Sequence, residues 1–158
     1  MTMEADRFMQ LAIELSERAV RRKSGGPFGA VIVKDGEIVG EGCNQVTTRN
    51  DPSAHAEIVA IRSACQKLRT FRLSGCTIYA STEPCPMCLG AIYWARLDRL
   101  IYANSRFEAS AVGFDDTFFH EEIVKPEDLR ALQTTRMASS EALAVLRAWF
   151  DLDGRESY

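Results

Sequence analysis

Two short motifs, about one strand of chain apart, constrain this sequence more than anything else in it. His55-Ala56-Glu57 lies at the start of one helical stretch, and Pro84-Cys85-Pro86-Met87-Cys88 opens another. Residues i and i+2 of an ideal helix point to nearly opposite sides, so His55 and Glu57 cannot share a lateral face. Both reach one centre only if that centre lies off the helix N-terminus. Histidines spaced i, i+4 behave differently, because they share a face. Cys85 and Cys88 also sit at a helix start, with Pro86 in the first turn, where a missing N–H is harmless. A fold that joins the motifs must bring two helix N-termini together. Their partial positive charge favours thiolate and other anions.

Counting ligands sharpens the chemistry. His55, Cys85 and Cys88 make three donors, and tetrahedral zinc takes four. A closed structural site would need one more from Cys43, Cys65, Cys76 or His120, and none of these falls within the two motifs. The fourth place is therefore expected to hold water, as in catalytic zinc sites. Glu57 is not needed as a ligand and becomes the natural proton carrier. One zinc ion per chain is expected.

The chain has 158 residues, with 19 basic against 22 acidic side chains and an apolar fraction of 46%. Those values fit one globular domain over 1–158 rather than a disordered chain. No apolar run approaches the roughly 20 residues that cross a bilayer. The first ten residues contain Glu4 and Asp6 where a secretory leader would be basic and then apolar. Five cysteines, an odd number, argue against a disulfide framework and for a cytoplasmic protein. Residues 1–120 carry 14 basic and 14 acidic side chains, and 121–158 carry 5 against 8. That acidic tail disfavours nucleic acid as a partner.

Hydrophobic spacing orders the elements. Residues 4–23 read as a helix carrying Phe8, Leu11, Ala12, Leu15 and Ala19 on one face, closed by Gly25-Gly26-Pro27. Residues 28–34 and 37–43 form a hairpin about Asp35-Gly36. A second helix spans about 54–68 and is expected to bury Ile61, Ala64, Cys65 and Leu68. A strand at 76–81, a helix at 86–96 and a strand at 100–103 follow, so the later strands should be parallel, with helices on both faces of the sheet. Beyond Gly113 the pattern is hard to read until a last helix at 140–152, carrying Leu143, Leu146 and Phe150.

The two motifs together match the His-x-Glu … Pro-Cys-x-x-Cys signature of zinc nucleobase deaminases. At these residues the chain resembles the cytidine and deoxycytidylate deaminase superfamily. The resemblance implies a three-layer α/β/α sandwich around a mixed five-stranded sheet. The context Pro52-x-Ala54-His55-Ala56-Glu57 and Thr82-Glu83-Pro84-Cys85-Pro86-Met87-Cys88 resembles the purine-handling branch. That branch holds tRNA adenosine deaminases, bacterial guanine deaminases and plant guanosine deaminases. Three further stretches, Gly25 to Ala30, Gly113-Phe114-Asp115-Asp116-x-Phe118 and the terminal Tyr158, resemble the bacterial guanine deaminases.

The resemblance also implies roles. Phe28 is the aromatic wall of the base pocket, and Asn44 offers an amide to the base edge. Asp116, with Asp115 beside it, accepts guanine N–H groups, and Tyr158 closes the pocket. Guanosine and tRNA adenosine are the competing substrates, and a zinc-stabilised interaction module is the non-enzymatic alternative. Trp94 and Tyr93 read as core or interface, and His120 as a loop residue with no metal role. The polar tail, 153–158, would fray alone. To place Tyr158 over a pocket it must fold back or cross to a second copy, so a homodimer with exchanged tails is expected.

Overall fold

The computed structural model describes residues 3–157, with side chains from residue 5 onward. The chain divides into two compact units, the first ending at Asp116 and the second beginning at Thr117.

In the first unit, α1 (Met3–Arg22) buries Phe8, Ala12, Leu15 and Ala19 in a single stripe. Lys23 then adopts a left-handed conformation, and the N–H groups of Lys23 and Ser24 donate to the carbonyls of Val20 and Ala19. This closes the helix as a Schellman turn. Strands β1 (Gly29–Lys34) and β2 (Glu37–Cys43) form the expected hairpin, with Lys34 opposite Glu37. Asp35 and Gly36 both have positive φ, the two-residue turn whose twist matches its strands.

β3 (Cys76–Thr82) runs antiparallel to β1, and β4 (Arg99–Asn104) runs parallel to β3, as the helix between them requires. The sheet is mixed, in the order β2-β1-β3-β4. Val31, Val33 and Tyr79 pack against Phe8, Ala12 and Leu15 of α1. Ala30, Ile32 and Ile78 pack on the other face with α3 (Ala56–Leu68) and with Ile92 of α4 (Pro86–Trp94). The result is three layers, helix over sheet over helix.

Two expectations about the first unit need correction. The resemblance implied five strands, but among the described residues the sheet has four. After β4, the Ser105 side chain accepts the Glu108 N–H while the Glu108 carboxylate accepts the Ser105 N–H. This capping box turns the chain into α5 (Arg106–Ser110) instead of another strand. The inner face of α3 also differs: Ala56, Glu57, Ile58, Ala60 and Ala64 are buried, whereas Ile61, Cys65 and Leu68 lie at the core's margin. The cause is in β2. A Cβ at Gly42 would come within 2.1 Å of the Ala56 carbonyl oxygen, so the strand lies directly on the alanine stripe.

The second unit is helical. It contains α6 (Thr117–Val124), a single 3₁₀ turn (Glu127–Leu129) and α7 (Ser140–Phe150), the last capped by the Ser139 hydroxyl. His120 is therefore helical, since the stretch after Asp116 forms α6 and not a loop. None of residues 117–157 is buried, and Leu143, Leu146 and Phe150 are exposed. No helix among the described residues is long and apolar enough to cross a membrane.

Candidate metal centre

The ends of two strands deliver the two motifs. β2 leads through α2 (Val46–Arg49) into a turn in which Asp51 accepts hydrogen bonds from the Ser53 N–H (2.8 Å) and hydroxyl (2.6 Å). The Gln45 N–H donates to the Ala54 carbonyl (3.0 Å) and ties that turn to the end of β2. β3 leads through Glu83-Pro84 into α4. His55 and Cys85 occupy the N-cap positions of α3 and α4 with nearly the same extended backbone, φ/ψ −68°/157° and −64°/167°. An N-cap side chain commonly bonds its own helix. Neither of these does, so imidazole and sulfur are free to meet a third body.

They meet at one point. His55 Nδ1 lies 3.6 Å from Cys85 Sγ and 3.5 Å from Cys88 Sγ, and the three ligand atoms all lie within 4.8 Å of one another. A tetrahedron with ordinary zinc–nitrogen and zinc–sulfur bonds has an N···S edge of about 3.6 Å. Among the described residues this is the one group of three or more metal-ligating side chains so arranged. Cys65 and Cys76 lie with the core between the sheet and α3, and Cys43 beside the α1 cluster, so no fourth cysteine joins.

Electrostatics agree with the geometry. The hydrogen bond from Cys88, aided by His55, lowers the Cys85 thiol to about 4. The same bond, with burial and the nearby Glu57, pushes Cys88 strongly upward. The contact with Cys85 raises His55 against its burial. Two thiolates this close repel each other unless a cation lies between them. A dication would let both become thiolates, so the donor set fits zinc.

Glu57 sits in the first turn of α3 and is 7% exposed. Burial is the main force raising its carboxyl, reinforced by Cys85 and opposed by the backbone, His55 and Cys88. All three ligand side chains therefore lie near enough to act on the carboxyl, which sits beside them. The i, i+2 pair therefore converges off the helix end, as the spacing requires.

Phe28, just before β1, and Asn44, just after β2, lie at the end of the sheet that carries the two motifs. Phe28 is half-buried, and its carbonyl accepts the Asn44 N–H at 3.0 Å. Asn44 is 4% exposed. Asp116 is half-buried in the stretch between α5 and α6, and Tyr158 lies outside the described residues. Phe114 belongs to the stretch Gly113 to Phe118. Its ring packs edge-on against Phe28, with centroids 4.9 Å apart at 84°. Glu83 accepts the Arg106 N–H at 3.0 Å and fastens the start of α5 to the loop that carries Cys85. Its only sequence signal is its place beside Pro84. Tyr93 and Trp94 are exposed, which removes the core reading and leaves the interface one.

Three nitrogen and sulfur ligands at two helix starts, with a buried carboxyl turned toward them, define a zinc hydrolase centre. Residues 2–104 match the family model described as the cytidine and deoxycytidylate deaminase zinc-binding region, and the chain belongs to that family. It is 47% identical over 156 residues to guanine deaminase from Bacillus subtilis, covering 99% of this chain and all of that one. An X-ray structure of guanine deaminase from the same organism superposes with a TM-score of 0.94 at 46% identity, covering 100% of this chain and 99% of the other. A tRNA-specific adenosine deaminase from Haemophilus influenzae is 38% identical, over 73% of this chain and 67% of its own length.

Proposed function

We propose that this protein hydrolyses guanine to xanthine and ammonia. The observation that carries the reading is the likeness to a guanine deaminase over nearly the whole chain, past the metal-binding region and through the second unit. Zinc held by His55, Cys85 and Cys88 would activate water near neutral pH, to a pKa of about 7.

The remaining work falls to side chains. Glu57 accepts the first proton of the attacking water and passes it to the ring nitrogen, then accepts the second from the hydroxyl now on carbon and passes it to the leaving amine, so the net change is guanine plus water to xanthine plus ammonia. Phe28 and Phe114 hold one face of the purine. Asn44 and Asp116 meet its edge and leave mismatched bases with unpaired polar groups. A spectrophotometric screen of guanine, guanosine, adenine and cytosine, with an adenosine stem-loop beside them, tests the reading. Guanine should be processed far faster than the rest. Inosine formed in the stem-loop, with no xanthine from guanine, would favour tRNA instead. Metal analysis should find one zinc per chain.

We also infer a homodimer in which residues 153–158 cross to the second copy and Tyr158 closes its pocket. The supporting observation is apolar surface. Trp149, Phe150 and Leu146 of the second unit are exposed, and so are Tyr93, Trp94 and Phe107 of the first. Exposed apolar surface on this scale marks an interaction site. Five free cysteines favour the reducing cytoplasm as the place of action.

A further inference from the structure

The Asn44 amide is held one way round. Its backbone is bonded on both sides: the N–H donates to the Phe28 carbonyl (3.0 Å), and the carbonyl accepts the Ser24 hydroxyl (2.9 Å). Ser24 is itself fixed, because it follows the left-handed cap of α1 and its N–H donates to the Ala19 carbonyl (3.0 Å). In the side chain, Oδ1 accepts the Val46 N–H at 3.1 Å. A backbone N–H can only donate, so this bond decides which end of the amide is oxygen. The oxygen also lies against Gly25, where a Cβ would stand 2.0 Å from it. Oδ1 is thus occupied on one side and walled in on the other.

Nδ2 is different. It has no hydrogen-bond partner among the described residues, yet no fully buried side-chain nitrogen or oxygen there lacks one. The small remaining exposure of Asn44 therefore includes Nδ2. We propose that Ser24, Gly25 and the Val46 N–H present Asn44 to the substrate as a hydrogen-bond donor only, so that the pocket selects a purine bringing an acceptor to that position. This rests on the reading above, in which Asn44 meets the base. Guanine offers such acceptors at O6, N3 and N7, while its N–H groups must find their partners elsewhere, Asp116 being the acid at hand. Ser24 and Gly25 act through Asn44 and are positioning residues. Ser24 secures the backbone, and Gly25 leaves the room the amide needs.

Asn44→Asp is the direct test, since it keeps an acceptor for the Val46 N–H and turns the exposed end from donor to acceptor. Its kcat/KM on guanine should fall at least about tenfold further than that of Asn44→Ala, with zinc content unchanged. Near wild-type turnover in Asn44→Asp would overturn the proposal. A second measurement needs no substitution at Asn44. Competitive inhibition by 7-deazaguanine, 3-deazaguanine and 2,6-diaminopurine removes N7, N3 and O6 in turn. One of the three should bind wild-type protein about tenfold or more worse than guanine. Ser24→Ala should shrink that gap and raise KM more than it lowers kcat, and Ser24→Thr should restore both. Three analogues binding as well as guanine would also overturn it. A wild-type protein that deaminates another purine and not guanine would refute the substrate reading alone. The Asp-against-Ala comparison would then decide the polarity of Asn44 on that purine.

Discussion

Residues 3–116 and 117–157 belong to one chain and are organised on opposite physical terms. The first unit sandwiches a sheet between helices, fully buries Ile32, Leu73, Ile78 and Cys88, and supplies every member of the metal centre. The second has two helices and a 3₁₀ turn and no buried residue, although α7 carries Leu143, Leu146, Trp149 and Phe150. Helices as short as these are marginal in water without a surface to cover. The contrast separates two jobs. The candidate metal ligands all lie in the first unit, whereas the apolar side chains of the second call for a surface to cover.

Glu57→Gln should break the first unit's chemistry and nothing else. Loss of turnover should exceed about 10⁴-fold, beyond the range of a single proton transfer, because one carboxyl serves several steps. Zinc content and thermal stability should remain, and so should the dimer. Retained turnover in this variant would refute the role of Glu57, whereas no turnover of any base by the wild type would revive the zinc-stabilised interaction module.

Removing 155–158 sharpens the contrast from the other side. Guanine turnover should drop, by roughly ten- to a hundredfold if the terminal tyrosine shields the pocket from water. Zinc stoichiometry and the melting temperature should hardly change. Full activity in the truncated protein would show that the tail is a frayed end. Light scattering on the same samples reads the oligomeric state, expected to be two copies.

Gly42→Ala probes the first unit's packing. The new methyl would need space held by the Ala56 carbonyl and the Ala60 N–H, 2.1 and 2.6 Å from it, both backbone atoms of α3. Overpacking of this kind costs about 1–3 kcal/mol, or about 2–4 °C per kcal/mol in a chain of this size. Because Ala56 separates His55 from Glu57, activity should fall more steeply than stability. An unchanged melting temperature would show that strand and helix can part without cost.

The centre was readable because its logic is local. Residue type, the i, i+2 and i, i+3 spacings and two helix starts mark out the three candidate ligands and set Glu57 apart as the candidate proton carrier. Phe114 was not readable as a partner of Phe28, nor Ser24 as the anchor of Asn44, because both contacts are made by separate elements meeting at one end of the sheet. The inner face of α3 was misjudged for a related reason. Large apolar residues marked one stripe, but the glycines of β2 made the alanine stripe the closer fit. The four strands found are those the β-rich runs located, and the fifth had come from resemblance alone, with no residues assigned to it.

The smallest expected effect lies in the turn before His55. The Ser53 hydroxyl and then the Ser53 N–H hold the Asp51 carboxyl below its ordinary value, against slight desolvation, and Arg62 helps from 3.7 Å. A group whose pKa is lower folded than unfolded stabilises the fold fully above its unfolded pKa, about 3.9 for Asp. That contribution disappears as the pH falls through the folded value. The stability difference between wild type and Asp51→Asn should therefore be level from pH 7 to about 5 and shrink below pH 4. Acid also releases zinc by protonating its ligands, but this happens in both proteins and cancels in the difference. Asparagine keeps an oxygen for the Ser53 N–H, so zinc content near neutral pH should stay close to that of wild type. Denaturation curves over a pH series give the answer, and a difference unchanged at pH 3 would show that the turn delivers His55 without help from the charge on Asp51.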